Sequence, residues 1–166
     1  MSKLKLFFFA MAFAIGLTAF QLQAPSSAAA SSAPSEAGAV LNFASHQLDK
    51  PFHMGANGLS RYDCSGLVWR AFMEEGLAQR IGGERKSYGY YNWFKNHGEV
   101  TSRPQRGDLV VWAHRGQRVS HVGLFYGYDR YGRPMALSAL TSGVAIHHVH
   151  SINVPLKAYL HVNLTR

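Results

Sequence analysis

The hydrophobic pattern of this chain changes period once, and the change divides it into a helical half and a strand half. Up to residue 97 apolar residues recur at helical spacing; from residue 109 they alternate in short runs separated by turn residues. In the first half, Val40, Leu41, Phe43, Ala44 and Leu48 predict a helix over residues 37–48. Asp63 is placed to cap a second over residues 64–75, with Leu67, Val68, Phe72 and Met73 as its apolar stripe and Gly76 as its stop. Residues 86–97 predict a third helix, in part loop, while 51–62 and 81–84 predict loops. In the second half, strands are expected over 109–112, 120–126, 134–139, 144–149 and 158–164. Helices followed by closely spaced strands mean α+β, with helices on one side of an antiparallel sheet. The 166 residues are one domain's length.

The first thirty residues follow a different logic. Lys3 and Lys5 precede the apolar run 6–20, after which come Pro25 and a Ser/Ala tract. That is the layout of a secretory signal peptide. The run is short of the roughly 20 apolar residues a membrane span needs. The expected organisation is a signal peptide over 1–30, a flexible linker over 31–36 and one domain over 37–166. Cleavage is expected after Ala30, with Ala24 and Ala29 also suited. No cysteine lies near the end of the run to carry a lipid, so no stable membrane anchor is expected after cleavage.

Lys and Arg number 17 against 9 Asp and Glu, a formal charge of +8, and the leader carries only two of the lysines. A basic exported protein can bind anionic wall polymers, lipid headgroups or extracellular nucleic acid. No clustered basic stripe or nucleic-acid motif accompanies the charge, so no nucleic-acid partner is expected.

Cys64 is the only cysteine, which excludes an internal disulfide and any cysteine-cluster zinc site. Its position opens the second helix. A thiol in a first turn lies against free backbone N–H groups and the positive end of the helix dipole, and both favour thiolate. The same N–H groups suit an oxyanion formed when the sulfur attacks a carbonyl. Gly66 allows another piece of backbone to approach closely. A thiol nucleophile needs a base to take its proton and return it to the leaving amine. His121, at the start of a strand and two residues before Gly123, is the best placed, although any of the nine histidines satisfies the chemistry.

Three ordered segments, Asp63-Cys64-Ser65-Gly66-Leu67-Val68, Arg106-Gly107-Asp108-Leu109-Val110-Val111-Trp112 and His121-Val122-Gly123-Leu124-Phe125-Tyr126, resemble the NlpC/P60 family of cell-wall cysteine peptidases. The resemblance covers residues 37–166. It implies a papain-like α+β fold with Cys64 as nucleophile and His121 as base. It also implies cleavage of peptidoglycan stem peptides, often between D-glutamate and a diamino acid. No metal or organic cofactor is implied, a monomer is expected, and the location is secreted or periplasmic. Two positions depart from the family. The third polar residue that orients the imidazole falls, by counting back from Thr141, at Leu137. If the following turn pairs Leu137 with Ile146, His148 lies diagonally on the same face and is a candidate substitute. The tyrosine twelve residues before the cysteine is Phe52, which loses a hydroxyl near the oxyanion. These departures support an alternative, a weak or inactive module of the same fold that binds wall peptides. Acyl transfer on other amides or lipids, and an antibacterial role with the same chemistry, are further alternatives.

Other residues carry simpler expectations. His147, His148 and His150 offer no evident third ligand on one strand face, so solvated histidines are expected there. Trp93 and Phe94 are expected in the core, with Tyr88, Tyr90 and Tyr91 as groove candidates. Asp108 is expected to hold backbone, and Asp63 to cap its helix. Arg61 and Tyr62 are candidates to meet a substrate carboxylate.

Overall fold

The computed structural model describes residues 35–166. The leader expected over 1–30 and most of the linker lie outside the described residues. The first helix, α1 (Glu36–Ser45), is capped by Ser35, whose side chain accepts from the Gly38 N–H, so helix begins where linker was expected. Loop follows and contains a two-residue hairpin, β1 (Asn57–Gly58) and β2 (Arg61–Tyr62). Next come α2 (Cys64–Glu74), a 3₁₀ turn over Ala78–Ile81, and α3 (Ser87–Asn96), which is continuous helix. The strands are β3 (Val100–Thr101), β4 (Leu109–Trp112), β5 (His121–Tyr128), β6 (Pro134–Leu140), β7 (Gly143–His148) and β8 (Leu156–Leu160). Periodicity gave no warning of β1, β2 and β3, because two-residue strands carry no period.

Strands β3 to β8 form one antiparallel sheet in the order β3-β8-β4-β5-β6-β7. Its two faces are both dry. Leu109, Val111, Val122, Leu124, Leu137 and Ala139 pack under the helices with Leu67, Val68, Phe72 and Phe94. Val110, Trp112, Phe125 and Ala136 form a second cluster on the opposite face, covered by Val149 and the segment leading to β8. The central strands β4, β5 and β6 therefore carry runs of consecutive buried residues rather than a clean alternation.

Asp108 has the backbone role expected of it. It is fully buried, and it accepts from the N–H groups of Gln105 (2.8 Å) and Val162 (3.1 Å) and from the Arg166 guanidinium (2.7 Å). The other end of the described chain is tied down alongside. Ala37 N–H donates to the Thr165 carbonyl at 3.1 Å, and Glu36 N–H donates to the Thr165 hydroxyl at 3.1 Å.

Candidate active site

Asp63 stands between β2 and α2 as the helix N-cap, and its carboxylate organises the turn between them. One oxygen accepts from Gly66 N–H at 2.7 Å and from the Ser65 hydroxyl at 2.9 Å; the other accepts from Gly55 N–H at 2.8 Å. This is the expected cap, and it also binds the loop 51–56 to the helix. Gly66 lies against the Ala56 carbonyl and 2.8 Å, measured from an added Cβ, from the Asn57 α-carbon. The close approach expected of this glycine is the seat of the β1–β2 hairpin on α2.

Cys64 is thereby presented at the edge of a cavity of about 740 Å³ that His121 also lines. Ser87, at the start of α3, faces the sulfur, with Oγ 3.3 Å from Sγ. The backbone N–H groups of Val122 and Ser65 favour the ionised sulfur. Phe52 lines the cavity with its ring alone, so no hydroxyl stands there. Lys86 and Arg118 bring positive charge to the walls, and the Arg118 guanidinium lies 4.9 Å from the centre of the Tyr88 ring. Asp63 is the acid on these walls, and its oxygens are already engaged.

Several expectations change. Tyr62 is fully buried and its hydroxyl donates to Gln47 at 3.1 Å, while Arg61 does not line the cavity; Arg118 and Lys86 supply the cations instead. Tyr90 is core, not groove, whereas Tyr88 lines the cavity. Leu137 is not beside the imidazole. The pairing Leu137↔Ile146 does hold, but both residues pack under the helices. His121 lies on the other face with Gly123, and the residue beside it there is Ser138. The His121 Nε2 atom is 2.9 Å from Ser138 Oγ, which is 2.9 Å from His147 Nε2. His147 Nδ1 is in turn 3.0 Å from the His148 carbonyl. His148 itself does not substitute for the orienting residue; its ring lies 4.0 Å from Asp129. Both His121 and His147 rest on Trp112, at ring separations of 5.1 and 6.0 Å.

A Cβ on Gly123 would come within 2.8 Å of the Ser138 Cβ and 2.9 Å of the Leu137 carbonyl. The glycine lets β6 close on β5 so that Ser138 reaches His121. Ser87, Ser138 and His147 were all missed from sequence. The available signal for Ser138 was its place opposite Gly123, one of two glycines on that strand and the one two residues from His121.

Burial also reverses the expected charge on the thiol. It pushes the Cys64 thiol up, outweighing the Ser87 hydroxyl and the Val122 and Ser65 N–H groups, which pull it down; the Asp63 charge pushes in the same direction as burial. Burial likewise lowers His121 to about 4, helped by His147 and opposed by Asp63. Near neutral pH the resting pair is a thiol and a neutral imidazole. The thiol's hydrogen-bond partner is Ser87, not His121. Alkylation of Cys64 by iodoacetamide is therefore expected to accelerate about tenfold per pH unit from pH 6 to 8, tracking the thiolate fraction. A rate that is flat across that range would reveal a preformed ion pair instead.

Comparison with known proteins adds an independent line. The model of the NlpC/P60 family matches residues 49–162. A probable endopeptidase p60 of Listeria grayi is 32% identical over 108 residues, which are 64% of this chain and 19% of that protein. The chain thus spans about a fifth of the length of this relative. An NlpC/P60 family protein of Bacillus cereus superposes with a TM-score of 0.61 at 20% identity, covering 76% of this chain and 40% of that one. The NlpC/p60 domain of a peptidoglycan hydrolase, SagA, superposes with a TM-score of 0.53 at 20% identity, covering 76% and 98%.

Proposed function

We propose, from the premise that this chain belongs to the NlpC/P60 family, that it is a cysteine peptidase hydrolysing amide bonds in peptidoglycan stem peptides. The observation that carries the reading is one cavity lined by a thiol at a helix N-terminus and by an imidazole held from behind. Cys64 is the nucleophile and His121 the base. The proton leaves sulfur for the imidazole as carbon–sulfur bonding begins, because neither partner is charged beforehand. The N–H groups of the first turn of α2 that Asp63 leaves open stabilise the oxyanion. The imidazolium then protonates the leaving amine, an acyl-enzyme forms, and water enters by the reverse sequence.

The substrate's charge fits the walls. Stem peptides carry the carboxylates of D-glutamate and, in many walls, of the diamino acid. Lys86 and Arg118 line the cavity, and the one acid there is occupied by its helix cap. We read the bond cut as the one between D-glutamate and the diamino acid. The leader expected over 1–30 would deliver the protein to the periplasm or the exterior, where that polymer lies. No helix among the described residues is long and apolar enough to cross a membrane.

A second reading, binding of wall peptides without cleavage, is favoured by Phe52 in place of a hydroxyl donor and by the raised thiol. Digestion of purified peptidoglycan, with mass spectrometry of the released fragments, separates the two. Stem-peptide fragments released by the protein, and absent after its thiol is blocked, support cleavage. Retention on the polymer with no fragments, across several wall chemotypes, supports binding alone.

The pH profile is a sharper check on the base. A neutral imidazole is the active form, and His121 is lowered to about 4 by burial and His147 against the pull of Asp63. Activity is thus present above that value and lost as pH falls through it. The acid limb of kcat/KM is expected near pH 4 to 5. A limb at pH 6 to 7, the range of an unperturbed imidazole, would show that His121 is not the titrating base.

A further inference from the structure

The hydrogen bonds behind His121 have only one consistent direction. A backbone carbonyl can only accept, so the His147 nitrogen facing the His148 carbonyl, Nδ1, carries a hydrogen. In a neutral imidazole the other nitrogen is then an acceptor. His147 Nε2 faces Ser138 Oγ, so the serine hydroxyl donates to His147. Its single hydrogen spent, Ser138 Oγ can only accept on its other side, where it faces His121 Nε2. His121 Nε2 therefore carries the hydrogen, and Nδ1 holds the lone pair.

We infer that Ser138 and His147 are positioning residues which, reading from a backbone carbonyl on β7, lock His121 in the Nε2–H tautomer and so keep Nδ1 as the base. The inference rests on the proposed dyad. The proton taken from the Cys64 thiol goes to Nδ1, giving an imidazolium with a hydrogen on each nitrogen. Nδ1–H then gives that proton to the leaving amine, and the ring returns to its starting tautomer. Nothing in the cycle moves a proton along Ser138 or His147; the relay sets direction only.

The surroundings suit a lock of this kind. Ser138 is fully buried, so water does not compete for its hydroxyl. Trp112 is fully buried beneath both imidazoles, and its own Nε1–H is spent on the Val149 carbonyl at 2.8 Å. His147 must be neutral for the direction to hold. Burial and the adjacent His148 keep it below its ordinary value, against the pull of its bond to the His148 carbonyl.

The arrangement predicts an inversion that a merely structural role does not. In His147→Phe the serine hydroxyl loses its acceptor and turns to donate to His121 Nε2. That stabilises the wrong tautomer, with hydrogen on Nδ1. In Ser138→Ala the ring loses its partner without gaining a wrong one. We expect His147→Phe to lower kcat about 10- to 100-fold, within the range of compromised acid–base catalysis, with KM little changed. The double variant His147→Phe/Ser138→Ala is expected to be faster than His147→Phe alone.

The test is ¹⁵N NMR of the imidazole nitrogens of the full chain near neutral pH, read beside kcat. Wild type should show a protonated pyrrole-type Nε2 and a pyridine-type Nδ1 at His121. His147→Phe should move the ring toward the Nδ1–H form, and removal of the serine should move it back. An Nδ1–H ring in wild type, an unchanged tautomer in His147→Phe, or a double variant no faster than the single would overturn the inference. The NMR arm needs no substrate. If peptidoglycan is not cut while the tautomers behave as stated, the proposed reaction fails and the relay stands.

Discussion

Cys64→Ala is expected to lower kcat on stem peptides by about 10⁴-fold or more, and His121→Ala by nearly as much. The informative quantity is the pair together. A nucleophile and the base that deprotonates it act as one unit, so the double variant should be no slower than the worse single variant. That expectation is strong here because burial leaves Cys64 a thiol and His121 neutral at rest. Without the imidazole the thiol has no acceptor for its proton, and without the thiol the imidazole has nothing to activate. Turnover of a short synthetic stem peptide by the three variants settles the matter. Losses that multiply would mean that the two side chains act separately. Full activity in Cys64→Ala would move the chemistry elsewhere in the cavity.

Gly66→Ala is the substitution expected to cost most in stability, about 3 kcal/mol or more. The methyl would overlap the Ala56 carbonyl oxygen, which is backbone and cannot turn aside. That carbonyl also accepts from Asp63 N–H at 2.7 Å, so displacing it disturbs the helix cap as well. The loop 55–57 must lift from α2, or α2 must tilt from the sheet. Urea unfolding followed by circular dichroism measures the cost. A midpoint within experimental error of the wild type would show that the hairpin does not sit on the glycine in solution.

The helix that carries Cys64 was legible because capping and stripe are local signals: Asp63, the apolar spacing to Phe72 and the stop at Gly76 lie within one short segment. The antiparallel sheet and even the β6–β7 register, Leu137 opposite Ile146, followed from turn residues. What failed was the choice of face. Alternation correctly puts Leu137 and Ser138 on opposite faces, but it does not say on which one the imidazole lies. Apolar residues cover both faces of this sheet, so neither was marked as the outer one. The error carried from β6 to β7, where it selected His148 over His147. The charge of the thiol was misjudged for a related reason. A helix N-terminus is visible in sequence, whereas the depth at which Cys64 sits depends on Phe52, Ser87 and Val122, brought in from three other segments. Arg118 was hidden likewise, since the loop before β5 shows no pattern.

The bonds between Glu36, Ala37 and Thr165 bring the domain's entrance and exit to one spot. A fold closed in this way places few demands on its neighbours in a chain, since it can be spliced in, appended or repeated with little strain at the joints. It can also be circularly permuted: joining the two ends by a short tether and opening the chain at the exposed turn around Gly116 would leave every strand pairing in place. That portability suits a domain matched by about a fifth of a much longer relative.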